Sequence, residues 1–250
     1  QLALDLDYQK VDYRMGPAPY FREYLRLTLT ADKPDRDDYA SWQTQKFIED
    51  STEWETNPLY GWCNKNIKPD GEHYDLYSDG LRIFTTLDSR MQQYAVESVK
   101  YHLKNDLQPE FDGSQKYLDN PPFADNMTDQ QVQNLLEREI RRSERFRVLR
   151  EEGKNFNQIK ENFKKPAEMT IFSWEGEIDT VMTPIDSIKW YLRFFRSSFM
   201  AMETESGKVR AYVGGPNYKH FMYDMVKGGK RQVGSTVKPF LYTLAMQNGL

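Results

Sequence analysis

Met91, Ala95, Val99 and Leu103 fall four residues apart, the spacing of one helical face, and the stripe runs until Pro109. Asp88 or Ser89 can cap this helix, and Ser89 with Gln92 has the spacing of a capping box. A second box, Thr128 with Gln131, opens a helix whose inner side carries Val132, Leu135, Leu136 and Ile140. Thr183 or Asp186 starts a third, bearing Ile188, Tyr191, Leu192 and Phe195, and Tyr20 to Thr30 reads as a short helix. Strand signals lie between them. Leu81-Arg82-Ile83-Phe84-Thr85-Thr86 is rich in β-branched and aromatic residues, and Met169 to Trp174 and Glu177 to Met182 flank Glu175-Gly176. Phe199 to Met202 and Val209 to Val213 flank Thr204-Glu205-Ser206-Gly207, a hairpin signal that Gly214-Gly215-Pro216 closes. Met200 and Met202 read as core. From Ala31 to Gly80 periodicity fades, and Pro34, Pro58 and Pro69 interrupt the chain. That stretch reads as an irregular connector whose Trp42, Trp54 and Trp62 must be covered by a neighbour. The pattern as a whole predicts a mixed α/β (α+β) fold of antiparallel strands and helices.

Composition narrows the function. With 250 residues the chain suits one large domain or two small ones, and 14% aromatic residues exclude a disordered chain. The net charge of −4 argues against a general polyanion binder, so no nucleic acid is expected as a partner. The arginines from Arg138 to Arg150 alternate with Glu137, Glu139, Glu144, Glu151 and Glu152, which cancels the field a phosphate backbone needs, and Glu137 to Arg141 has favourable i,i+4 order. A lone Cys63 excludes an internal disulfide and a cysteine-based zinc site. His73, His102 and His220 are scattered without metal spacing and read as structural; no cofactor is expected. Glu175, Glu177 and Asp179 alternate along a strand and read as a solvated edge. No run approaches the roughly twenty apolar residues of a membrane span. The ends, Gln1 and Leu250, read as cuts in a longer protein.

The densest chemical signal runs from Lys227 to Phe240. Gly229 and Gly234 have the separation of a phosphate loop, but Ser235 stands where that loop needs its lysine. The alternative is Ser235 with Lys238. A serine hydroxyl is a weak nucleophile and needs a base within hydrogen-bond reach. Three residues apart on a helical turn, the two side chains share a face. The lysine must be neutral to act; the positive end of a helix dipole and partial burial both favour that form. Against this, a serine before an apolar helix is commonly a cap. Pro239 prefers the first helical turn, which would start the helix after Lys238 rather than at Ser235, and both registers stay open.

Arg231-Gln232-Val233-Gly234-Ser235-Thr236-Val237-Lys238-Pro239-Phe240 resembles the active-serine segment of class A penicillin-binding proteins, the bifunctional enzymes that polymerise and cross-link peptidoglycan. Met200 to Gly215 is similar to the hairpin opening their transpeptidase domain. Leu81 to Asp88, with Gln92 or Gln93, is similar to the strand and helix before it, and Gly16-Pro17-Ala18-Pro19-Tyr20-Phe21 to the stretch leaving their glycosyltransferase domain. Details of these segments resemble homologues from the Bacteroidetes.

The resemblance implies an interdomain linker over residues 1–80, an entry region over 81–196, and the truncated front of a transpeptidase domain over 197–250. It implies Ser235 as acyl-enzyme nucleophile and Lys238 as its base, acting on D-Ala–D-Ala stem peptides or β-lactam antibiotics. Expected partners are stem peptides, lipid-linked glycan strands and cell-wall synthesis proteins. The parent is expected at the periplasmic face of the inner membrane, held by an N-terminal anchor outside this chain. The Ser-x-Asn and Lys-Thr-Gly tripeptides of the family do not occur here, so the piece alone is expected to be inactive. Two rival readings are a non-catalytic interaction module, with an aromatic docking surface and Ser235 as a cap, and a serine β-lactamase or carboxypeptidase.

Overall fold

The computed structural model describes residues 16–230 and 232–249. The turn expected around Arg14 and Met15 and the ends Gln1 and Leu250 lie outside them. The described residues open with α1 (Pro19–Leu29), whose proline takes a first-turn position that needs no N–H. Two more helices follow, α2 (Thr44–Thr56) and α3 (Trp62–Lys65). The expected irregular connector is therefore corrected: it holds a thirteen-residue helix. Apolar periodicity missed α2 because local polar bonds support it. Gln45 donates to Glu49, and the Tyr39 hydroxyl donates to Asp50 at 2.8 Å. Trp54 packs edge-on against Tyr60, and Trp62 tilts against Tyr74. Trp42, expected to need cover, is 81% exposed.

Helix α4 (Ser89–His102) begins at Asp88, whose carboxylate accepts from the N–H groups of Arg90 and Met91 at 3.0 Å each. Pro109 does not end the helical path. A π-turn, Leu103–Leu107, carries it into α5 (Gln108–Gln115), with Pro109 in the new first turn. The wider turn lets Gln108 N–H reach the Leu103 carbonyl and absorbs the donor that proline lacks. Next come α6 (Asp129–Arg142), opened by the expected Thr128–Gln131 box, α7 (Glu144–Glu151) and α8 (Phe156–Phe163). The arginine-rich stretch is thus two helices, broken where Ser143 turns extended and caps α7 through Phe146 N–H. Ile140, Leu149, Ile159 and Phe163 form the core of this helical unit.

β1 (Ala167–Ser173) and β2 (Gly176–Met182) make an antiparallel hairpin, with Ala167 opposite Met182 and Ser173 opposite Gly176. α9 (Pro184–Leu192), capped by Thr183, packs behind it. A second core joins Leu103, Phe172, Trp174 and Phe221. β3 (Phe199–Met202) and β4 (Val209–Val213) form the second antiparallel hairpin. α10 (Met225–Gly228), a 3₁₀ turn over Gly234–Val237 and α11 (Lys238–Gln247) complete the order. The mixed α/β expectation is met.

The inner face of the second hairpin carries Ala211 and Val213 against Ala95, with Ala201 beside them. Met200 and Met202 are instead exposed, at 42% and 52%, which corrects their expected place in the core. Leu81–Thr86, expected as a strand, forms none. The segment approaches β4 through isolated bonds: Thr86 Oγ1 donates to the Val209 carbonyl at 2.8 Å, and Asp88 N–H to that of Arg210 at 2.9 Å. The next contact comes from a side chain. Tyr212 N–H donates to Gln92 Oε1 at 2.7 Å, and Gln92 Nε2 returns a bond to the Tyr212 carbonyl at 3.0 Å. Gln92 is 4% exposed, so its place is the edge of β4 rather than the expected capping box.

Replacing Gln92 by Leu leaves one buried donor and one buried acceptor of Tyr212 unpaired. The expected loss is about 2–4 kcal/mol in a urea melt. Gln93→Leu, whose partner is the exposed Glu97, is expected to change stability by under about 0.5 kcal/mol.

Candidate functional site

The path to Ser235 starts where β4 ends. Gly214 and Gly215 lie against Tyr20 of α1: a Cβ on Gly214 would stand 2.6 Å from the Tyr20 ring, and one on Gly215 would stand 2.5 Å from its hydroxyl oxygen. Only glycine permits that approach. The buried Tyr20 hydroxyl donates to the Phe221 carbonyl at 2.6 Å. Its ring meets Tyr218 edge-on at 4.9 Å. Burial first, then the charge of Asp224, holds the Tyr20 phenol far above its ordinary range, so it stays a neutral donor.

The loop then returns to β4. Tyr212 Oη donates to Asp224 Oδ2 at 2.6 Å, while Asp224 Oδ1 accepts from Val226 N–H at 2.9 Å and so caps α10. Met225 N–H reaches the Gly214 carbonyl at 2.9 Å, and Gly229 N–H bonds to Met225 O at 3.2 Å. Burial and this bond to Asp224 raise the Tyr212 phenol as well.

Beyond Gly229 the chain turns outward. Arg231 lies outside the described residues. Gly234 takes φ of +50°, the left-handed region that glycine enters without strain, and opens the 3₁₀ turn carrying Ser235. Thr236 N–H donates to the Val233 carbonyl at 3.0 Å. Because three residues complete a 3₁₀ turn, positions i and i+3 eclipse, so Ser235 and Lys238 rise from the same side of the chain. The two open registers resolve into both at once: Ser235 sits in the 3₁₀ turn, and α11 starts at Lys238 with Pro239 in its first turn.

Both side chains are exposed, and among the described residues no hydrogen bond joins them. The burial expected to help neutralise Lys238 is therefore not supplied by these residues. Helix α11 is exposed too, with Phe240 at 76% and Met246 at 68%. Two apolar cavities, about 420 Å³ and 580 Å³, flank Pro17 to Pro19 and share Gln92 in their walls; Ser235 lines neither. Among the described residues no three metal-ligating side chains converge.

Sequence reasoning missed Tyr20, Gln92 and Asp224 as the residues that fix the approach to Ser235. The adjacent glycines were the available signal, since a paired Gly marks close backbone approach as well as a strand end. It also read Glu177 as plain solvated edge. Glu177 instead holds Lys219 and His220, the latter at 2.8 Å, and Lys104 pairs with Glu175.

Residues 119–195 match the family model described as the penicillin-binding protein middle domain. The penicillin-binding protein 1A of Vibrio cholerae is 44% identical over 54 residues, covering 22% of this chain and 6% of the relative. Those of Rickettsia felis and Rickettsia bellii are 28% identical over 195 residues and 26% over 201, covering 70% and 74% of this chain. The chain spans about a quarter of the length of these last two relatives, 24% and 25%. No solved structure matches.

Tyr20→Phe removes the bond to Phe221 and is expected to cost about 1–2 kcal/mol in urea unfolding. Gly215→Ala is expected to cost more in the wild type than in a Tyr20→Ala background, because the added methyl collides with that hydroxyl; a double-mutant cycle reads the difference. By these matches the chain is similar over most of its length to penicillin-binding proteins 1A, and residues 119–195 are similar to the penicillin-binding protein middle domain.

Proposed function

We propose that this chain carries the nucleophile and base of a serine D,D-transpeptidase, within a bifunctional peptidoglycan glycosyltransferase/transpeptidase. The observation that carries the reading is the 3₁₀ turn placing Ser235 and Lys238 on one side at the start of α11. Lys238 Nζ, in its neutral form, takes the proton of Ser235 Oγ as that oxygen bonds to the carbonyl carbon between two D-Ala residues. The C–N bond then breaks, the proton passes to the departing D-Ala amine, and an acyl-ester remains on Ser235. The amine of a second stem peptide displaces the ester, restoring the hydroxyl and completing the cross-link. A β-lactam enters by the same first step, but ring opening leaves its amine tethered and the ester persists.

The exposure of both side chains bears on where this chemistry runs. Desolvation and oxyanion donors therefore have to come from outside these residues, as does the strand whose Lys-Thr-Gly sequence this chain lacks. On this reading residues 1–80 are the linker after a glycosyltransferase, 81–196 the entry region and 197–250 the front of the transpeptidase domain. The family-model match over 119–195 falls within the proposed entry region. Stem peptides, lipid-linked glycan strands, β-lactams and cell-wall synthesis proteins are the proposed partners, and the periplasmic face of the inner membrane the proposed location. Among the described residues no helix is long and apolar enough to cross a membrane.

Lys238→Ala in the full-length protein is expected to lower the β-lactam acylation rate at least about 10³-fold with the fold intact, in line with the loss of a general base. Circular dichroism checks the fold and intact-mass spectrometry the adduct. Acylation at the wild-type rate would place the base elsewhere. The isolated chain is expected to form no adduct under the same conditions.

A further inference from the structure

Three titratable groups from three segments meet behind the first hairpin. Tyr191 Oη of α9 lies 2.8 Å from His220 Nδ1, and His220 Nε2 lies 2.8 Å from Glu177 Oε1 of β2. Lys219 Nζ reaches both Glu177 oxygens, Oε1 at 2.6 Å and Oε2 at 2.8 Å. His220 is nearly enclosed, its side chain 8% exposed. Phe172 N–H of β1 donates to the same Tyr191 oxygen at 3.1 Å. We propose that Tyr191, His220 and Glu177 form a pH-sensitive latch that holds the loop 216–221 to the β1–β2 hairpin and loosens when His220 takes up a proton.

The donor and acceptor pattern is satisfied in one protonation state. A phenol oxygen has one good in-plane acceptor position besides its own hydrogen. Phe172 N–H occupies that position, so the Tyr191 hydrogen points at His220 Nδ1. Nδ1 must then accept, which leaves Nε2 to carry the hydrogen donated to Glu177. Neutral His220 thus closes an unbroken relay from the Phe172 amide to the Glu177 carboxylate. Protonation turns Nδ1 into a donor facing an oxygen already used, and the Tyr191 link is lost. Glu177 attracts the new charge only in part, because Lys219 already neutralises it.

The other groups near the latch do not titrate with it. Burial raises the Tyr191 phenol. Hydrogen bonds from Lys219 and then His220 hold the Glu177 carboxyl below its ordinary value of 4.5. Its contribution is present above that value and is lost only as pH falls through the lowered one. β1 contributes only the Phe172 ring and amide; Arg196 lies over the Phe221 ring at 5.0 Å, and Tyr20 bonds to Phe221 O. The loop so held is the one that leads from β4 towards Ser235.

Hydrogen–deuterium exchange of the full-length protein tests the latch. Corrected for intrinsic rates, uptake at 216–221 and at Phe172 is expected to rise about tenfold between about pH 7.5 and about pH 5.5. His220→Gln, whose amide can accept from Tyr191 and donate to Glu177 without titrating, is expected to abolish the step. Histidine C2 exchange in the wild type gives the midpoint of His220 itself, which must coincide with that of the loop. No step in the wild type, a step that persists in His220→Gln, or midpoints that differ would each overturn the proposal. If His220→Gln fails to fold, the comparison of midpoints decides alone.

Discussion

The amide of Gln92 does for β4 what a third strand would otherwise do. A two-stranded hairpin leaves a free edge on each side, and a buried edge must have its N–H and C=O groups paired. Tyr212 meets that demand through one side chain that gives and takes a hydrogen bond at once. Because Gln92 lies in the first turn of α4, the same pair fixes the helix over the hairpin. Ala95 then packs on Ala211 and Val213 with no polar group left behind. The side chain of Tyr212 carries the constraint onward to Asp224, and so to α10.

Two residues then close the region leading to the serine. Tyr20 fills the space that Gly214 and Gly215 leave open, although 194 positions separate Tyr20 from Gly214 in the chain. It thereby joins the first helix to the end of the last strand. Asp224 accepts from Tyr212 and from the backbone of α10 together, so the backbone is tied as far as Gly229. Beyond that residue the bonds among the described residues are local. The 3₁₀ turn of Ser235 is set by Gly234 and by Thr236 rather than by tertiary packing.

How much of this could be read from sequence depended on whether the signal was local. The Thr128–Gln131 capping box, the two hairpins and the start of α1 follow from side chains acting within a few residues, and the structure places them as expected. The Leu81–Thr86 segment shows the opposite case. Its β-branched composition fits a strand, but a strand exists only with a partner; the segment reaches β4 only through isolated bonds at its end, and Gln92 of α4 takes the edge at Tyr212. Met200 and Met202 were misplaced because apolar character does not say which face of a hairpin is covered. Pro109 was read as a stop because a π-turn, which accommodates it, leaves no periodic mark. For the site, the eclipsed Ser235–Lys238 pair was legible from spacing. The Tyr20, Gln92 and Asp224 supports were not, since each acts on a residue far away in sequence or through its backbone.

On the proposed function the nucleophile is Ser235, which the fold presents on a short 3₁₀ turn three residues before Lys238. The most direct test of this assignment is to label the full-length protein with a fluorescent penicillin, digest it, and locate the adduct by tandem mass spectrometry. The account predicts a single modified residue, Ser235, and no label in Ser235→Ala. Label on any other residue, or undiminished labelling of Ser235→Ala, would contradict it.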